Sequence, residues 1–246
     1  MSPSKRRADA DEAVVAPSAD ARGDAQAPQR GRARKYAQVM EQIHASAIEV
    51  FAAEGQVGAT TQAIADGAGL SKAQLHYYID TKDALYREVI QNILDDWVAV
   101  FGYADEAQGP RKVLGDYIRR KMTFSFEEPL RSRIFAAEMM RGGPVALALM
   151  GGNSGRRTWQ ADSVIRNWIQ RGLMAPVEPL LFLFHLWAIT QFYADQAEQV
   201  RLFMPGELDS AEGRERLIRE VTLQIFRAAG LEPAPLGPAA DAAASP

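Results

Sequence analysis

Apolar residues recur along this chain three and four positions apart, the period of a helix with one buried face. From Tyr36 to Glu54 the residues Val39, Ile43, Ala47, Val50 and Phe51 keep that spacing, and Gly55 ends the predicted helix. Thr60 or Thr61 can cap a short second helix with Ile64 and Ala68 on one face, and Gly69 supplies a left-handed residue to stop it. Ser71 can cap a third, in which Leu75 and Ile79 turn inward while Lys72, Gln74, His76 and Tyr77 lie on other faces. A fourth starts near Thr81, with Asp83 favouring its N-terminus, and carries Leu85, Val89, Ile93, Trp97 and Phe101 in one line.

The same pattern continues behind this unit. Pro110 opens a helix containing Val113, Leu114, Tyr117, Ile118, Lys121 and Met122, and Pro129 opens another with Ile134, Phe135, Glu138 and Met139, ended by Gly142-Gly143-Pro144. A Met/Leu-rich piece reaches Met150. The Gly-rich stretch Gly151–Gly155 is expected to interrupt the helical path before a helix over roughly Thr158–Gln170. That stretch lacks a Lys-Ser/Thr ending and a preceding strand, so it is no phosphate loop. Pro176–Ala197 and Ala211–Ala229 are long apolar helices, the latter with Leu217, Ile218, Val221, Ile225 and Phe226 on one side.

The fold expected is therefore all-α. Residues 1–35 form a disordered basic tail, 36–97 a first helical domain with two short turn-linked helices at about 59–78, 98–230 a larger helical domain, and 231–246 a second disordered tail. Both tails lack the large apolar side chains needed to offset ordering entropy.

Two short helices joined by a Gly-containing turn can be an ordinary core hairpin or a helix-turn-helix whose second helix enters a DNA major groove. The chemistry of the second helix favours DNA. Lys72, Tyr77 and the nearby Lys82 suit phosphates, Gln74 and His76 suit base edges, and Thr60, Thr61 and Ser71 at the helix starts complete the expected DNA-contacting set. Arg30, Arg32, Arg34 and Lys35 form either a flexible arm that touches phosphates or a solvated tail.

Composition narrows the remaining classes. The chain has 246 residues and 47% hydrophobic content, enough for a core. A formal net charge of -3 argues against indiscriminate coating of nucleic acid. With no cysteine there is neither a disulfide framework nor a thiolate nucleophile or Cys-based zinc site, in keeping with a cytoplasmic protein. No stretch approaches the ~20 apolar residues of a membrane span, and the N-terminus has no signal-peptide core. No cofactor or metal is expected.

At the helix-turn-helix the chain resembles the TetR family of bacterial transcriptional regulators. Thr61, Ala68-Gly69-Leu70-Ser71, Tyr77-Tyr78 and Lys82-Asp83-Ala84-Leu85 match that family's pattern. Ile79 stands where the family usually has Phe, and an apolar side chain still fills the packing position. The resemblance implies a homodimer in which the last two long helices meet their symmetry mates in a four-helix interface. Dimerisation has a separate rationale, since one helix-turn-helix reads few base pairs and two held a helical turn apart read a palindromic operator.

In the penultimate helix Trp187 and Gln191 lie one turn apart. A buried unpaired amide costs roughly 1–3 kcal/mol, so Gln191 either bonds a neighbour or meets a ligand. Its carboxamide can pair with the N–H and C=O edge of a pyrimidine while an indole stacks on the ring. Equally, Gln191 can bond a polar neighbour with Trp187 as core filler.

Beyond the reading head, the chain resembles the regulators of pyrimidine utilisation within the TetR family. The matching segments include Leu94-Asp95-Asp96-Trp97, Tyr117-Ile118-Arg119-Arg120-Lys121, Ser132-Arg133-Ile134-Phe135 and Trp187-Ala188 with Thr190-Gln191 and Tyr193-Ala194-Asp195. This implies an effector pocket at Trp97, Trp187 and Gln191 for uracil or thymine. Phe192 replaces a His, and the segment Gly151–Arg157 diverges. The function expected is a ligand-responsive homodimeric repressor of pyrimidine-metabolism genes. A regulator of the same family answering a different aromatic or hydrophobic effector is the alternative, and a helical enzyme on a small aromatic substrate the remote one. The enzyme would need an acid/base pair, and His44, His76 and His185 share no local spacing with the scattered carboxylates.

Overall fold

The computed structural model describes residues 26–101 and 106–231, and every regular element among them is a helix. By contacts the chain divides into residues 1–42 and residues 43–246. The buried core begins at Ile43.

Helix α1 spans Gln26–Gly58. Its start differs from the expectation of a disordered tail to residue 35, because residues 26–35 are helical. Ala, Gln, Arg and Lys are good helix formers, and extending a nucleated helix costs little per residue. Arg32, Arg34 and Lys35 are exposed along this helix. Residues 1–25 and 232–246, where tails were also expected, lie outside the described residues. At the far end Gly55, at φ 67° and ψ 177°, breaks the helical geometry where the sequence predicts a stop.

Helices α2 (Thr61–Gly67) and α3 (Lys72–Tyr78) follow, then α4 (Lys82–Phe101). Ile43, Ala47 and Phe51 of α1, Ile64 of α2, Leu75 and Ile79 around α3, and Leu85 and Val89 of α4 are buried together as the core of the head. Gly67 is needed for close approach: a Cβ there would stand 2.3 Å from Ser46 Oγ, which itself donates to the Ile64 carbonyl at 2.9 Å.

A short 3₁₀ turn, Glu106–Gln108, leads into α5 (Gly109–Glu127) and α6 (Pro129–Met140), each opened by proline as predicted. Helices α7 (Pro144–Met150) and α8 (Asn153–Gln170) come next, so the Gly-rich interruption is confined to Gly151 and Gly152. The apolar stretch after Pro176 divides: α9 is Pro179–Asp195, with the Glu178 carboxylate accepting from the Leu181 N–H, and a separate α10 covers Ala197–Phe203. Helix α11 is Ala211–Ala228.

The larger core gathers Tyr117, Ile118 and Met122 of α5, Ile165 and Trp168 of α8, Leu183 and Leu186 of α9, and Leu217, Val221 and Ile225 of α11. Leu231, placed in the C-terminal tail by the sequence, joins this core. Helix α4 packs against α5, α6, α7 and α8, so it belongs to the head at one end and to the rear bundle at the other.

Candidate functional site

The head presents its polar groups on and beside α3. Thr60 Oγ1 accepts from the Ala63 N–H at 3.1 Å and caps α2, and Thr61, half-buried, is that helix's first residue. Ser71 and Gln74 form a reciprocal capping box: Ser71 Oγ accepts from the Gln74 N–H at 3.2 Å, and Gln74 Oε1 accepts from the Ser71 N–H at 2.8 Å. Lys72, His76 and Tyr77 are exposed, and Tyr77 is 79% accessible while standing edge-on to Tyr78 at 5.1 Å. A phenol that exposed does nothing for the core.

Besides the capping Thr60 and Ser71, two more of the expected DNA-contacting residues are already engaged. Lys82 Nζ donates to the carbonyls of Gln56 (2.6 Å) and Ala59 (2.7 Å), fastening the start of α4 to the chain that leaves α1. That role is structural. Gln74 has its Nε2 donor and one lone pair of Oε1 left for other contacts, because the cap takes the other lone pair.

Behind the head a cavity of ≈ 690 Å³ opens between α4, α5, α6, α8 and α9. Trp97, Trp187 and Gln191, predicted as pocket residues, all line it. The Trp97 ring meets Phe135 at 4.5 Å, nearly edge-on, and its buried Nε1 has no hydrogen-bond partner among the described residues. Gln191 bonds its neighbours: Oε1 accepts from Lys121 Nζ at 2.6 Å, and Nε2 donates to Asp195 Oδ1 (2.9 Å) and the Ser132 carbonyl (3.2 Å). One lone pair of Oε1 is left for a ligand.

Lys121 is the wall residue that the sequence reading did not single out, although a lysine inside the apolar stripe Tyr117, Ile118, Met122 was its visible signal. Its side chain is 3% exposed and its Nζ lies 4.0 Å from the Trp97 ring centroid. Burial pulls the ammonium down to about 7 against the attraction of Asp195. Burial likewise raises the Asp195 carboxyl, opposed by Gln191, Lys121 and Arg133. For both partners desolvation outweighs their mutual attraction. Arg157 of α8, half-buried, also lines the cavity and has no ion-pair or hydrogen-bond partner among the described residues.

A polar junction joins the cavity wall to α4. Glu138, fully buried on α6, accepts from Tyr86 Oη at 3.0 Å through Oε2, and from the N–H groups of Val145 (2.7 Å) and Ala146 (3.2 Å) through Oε1. It thereby caps α7. Arg141 donates to Tyr86 Oη at 3.0 Å, and Tyr86 also meets the Phe51 ring of α1 edge-on at 5.0 Å.

The histidines are not gathered into a site. His44 lies 3.2 Å from Glu88, His76 is exposed on α3 and His185 is exposed on α9. Among the described residues no helix is long and apolar enough to cross a membrane.

Comparison with known proteins agrees with this architecture. Residues 43–89 match the family model described as "Bacterial regulatory proteins, tetR family", and residues 90–232 match "YcdC-like protein, C-terminal region". The HTH-type transcriptional regulator RutR of Escherichia coli K12 is 35% identical over 169 residues, covering 69% of this chain and 80% of that protein. A tetR-family regulatory protein from Rhodococcus RHA1 superposes with a TM-score of 0.63 at 20% identity, covering 79% of this chain and 98% of its own. AibR, solved with isovaleryl coenzyme A and operator DNA, gives 0.60 at 16% identity over 76% of this chain and 98% of its own. These last two support the fold. With a capped helix-turn-helix in front and a helical, cavity-bearing body of the YcdC type behind it, the chain belongs to the TetR family and is a DNA-binding transcriptional regulator, not an enzyme.

Proposed function

We propose that the protein is a homodimeric repressor of pyrimidine-metabolism genes that leaves its operator when a pyrimidine such as uracil or thymine occupies the cavity. The observation that carries this reading is the meeting of Trp97, Trp187 and Gln191 at one cavity, with the Lys121 ammonium against Gln191. An indole supplies a stacking face, and the amide with the ammonium supplies the donor and acceptor that a lactam edge needs. The resemblance of these segments to pyrimidine-utilisation regulators supports the same ligand.

On DNA, Lys72 and Tyr77 hold phosphates while His76 and the free amide nitrogen of Gln74 reach base edges, with Thr60, Thr61 and Ser71 at the helix starts beside the backbone. Dimerisation runs through α9: its Leu181, Phe184 and Phe192 are exposed apolar residues in one stripe. Helix α11 joins it there through its exposed face, while Leu217, Val221 and Ile225 on its other face are buried in the chain's own core. The effector acts by binding more tightly to the head spacing that misfits the operator, since equal affinity for both spacings would shift nothing.

Calorimetry with uracil and thymine tests the ligand, on the wild type and on Gln191→Ala. Heat with the wild type and its loss in the variant is the expected result. Absence of heat with both ligands removes the pyrimidine while leaving operator binding, read by footprinting, untouched. A second reading, a different aromatic or hydrophobic effector, draws on Met139, Met140 and Met150 in the wall, whose flexible side chains suit varied apolar shapes. Displacement of bound DNA by uracil against a panel of aromatics decides between the two.

A further inference from the structure

The cavity contains more positive charge than a neutral ring can use. Lys121 from α5, Arg133 from α6 and Arg157 from α8 line it, and Asp195 is the sole acidic side chain in its described lining. One of its oxygens, Oδ1, accepts from the Gln191 amide at 2.9 Å. Arg157 is half-buried with no partner among the described residues, and a guanidinium withdrawn from water without an acceptor is costly. The Trp97 Nε1 donor is likewise buried and unmatched. Two donors, the Arg157 guanidinium and Trp97 Nε1, are thus left unmatched in the lining, beside one lone pair of Gln191 Oε1. The volume of ≈ 690 Å³ also exceeds what one six-membered ring fills.

We infer that the effector is an anion: a planar ring bearing a carboxylate, its ring edge held at Lys121 and Gln191 and its charge held by Arg157. This rests on the reading of the cavity as the effector site and adds the ligand's charge to it. An anion in the cavity also offsets the desolvation that weighs on the Lys121 ammonium. Arg157 is then a specificity-determining residue, in a segment where the chain diverges from the regulators it otherwise resembles.

The test is calorimetry on the full chain with two matched pairs at fixed ionic strength: uracil against uracil-6-carboxylate, and benzamide against benzoate. The expected result is that uracil-6-carboxylate binds about tenfold or more tightly than uracil, the gain from one charge-assisted contact. Arg157→Gln abolishes that advantage, so that the two pyrimidines bind alike, and Arg157→Lys restores part of it. If both pyrimidines are silent but benzoate outbinds benzamide in an Arg157-dependent way, the anion stands and the pyrimidine falls. If neither pair favours its charged member, or the preference survives in a folded Arg157→Gln protein, the inference is overturned.

Discussion

Tyr86 Oη donates to Glu138 Oε2 across 3.0 Å, tying the helix that begins beside the DNA-reading head to the buried cap of α7. Met139 and Met140, the next residues on α6, line the cavity. The hydroxyl and the carboxylate therefore sit between the wall a ligand would press on and the helix that carries the head. Tyr86→Phe takes a donor from the fully buried Glu138 carboxylate and should cost roughly 1–3 kcal/mol. It should also weaken coupling, so that effector releases less DNA at saturation than in the wild type. Thermal melting and operator titration with and without effector measure both, and unchanged release would take the junction out of the signalling path.

Lys121 makes stability depend on pH. Its ammonium is held near 7 in the folded chain but titrates at about 10.4 when unfolded, so between those values the unfolded chain binds more protons. Stability should rise as pH climbs from about 7 toward 10, by on the order of a few kcal/mol. In Lys121→Met this rise should flatten, with the largest gain over the wild type below pH 7. Urea midpoints from pH 6.5 to 9.5 read the effect, and parallel curves for the two proteins would contradict it.

Lys82 separates a structural role from a DNA-binding one. Lys82→Ala removes the bonds to the Gln56 and Ala59 carbonyls and should lower the melting temperature, with operator affinity of the folded protein retained. A large affinity loss without destabilisation would return Lys82 to the phosphate-binding set.

Lys72→Ala should weaken binding to every DNA sequence alike and reduce the salt dependence by about one phosphate contact. Gln74→Ala should instead relax one operator position and, by opening the capping box, cost about 1 kcal/mol of stability. Fluorescence anisotropy over a salt series with permuted operators distinguishes them, and a uniform loss in the Gln74 variant would deny it a base contact.

Gly67→Ala drives a methyl group into Ser46 and should cost about 1–3 kcal/mol through overpacking. Ser46→Gly in the same chain should recover part of that loss, a non-additive pair in a denaturation cycle. Additive effects would mean that α2 shifts rather than clashes.

Much of this protein follows from local rules. Helical spacing, Thr60 and Ser71 as caps, the stop at Gly55 and the prolines that open α5 and α6 depend on neighbours a few residues away, so the string of residues was enough to set the head and most of the helices behind it, though not the separate α10. The gathering of Trp97 with Trp187 and Gln191 was legible only through resemblance, because α4 and α9 are far apart in sequence. Two features needed the packed chain. Lys82 found carbonyls rather than solvent, and Lys121 with Arg157 came to face one cavity from α5 and α8. Which partner a side chain meets across helices depends on how those helices dock. No spacing along the chain encodes whether a cation ends beside a carboxylate, a carbonyl or an empty space.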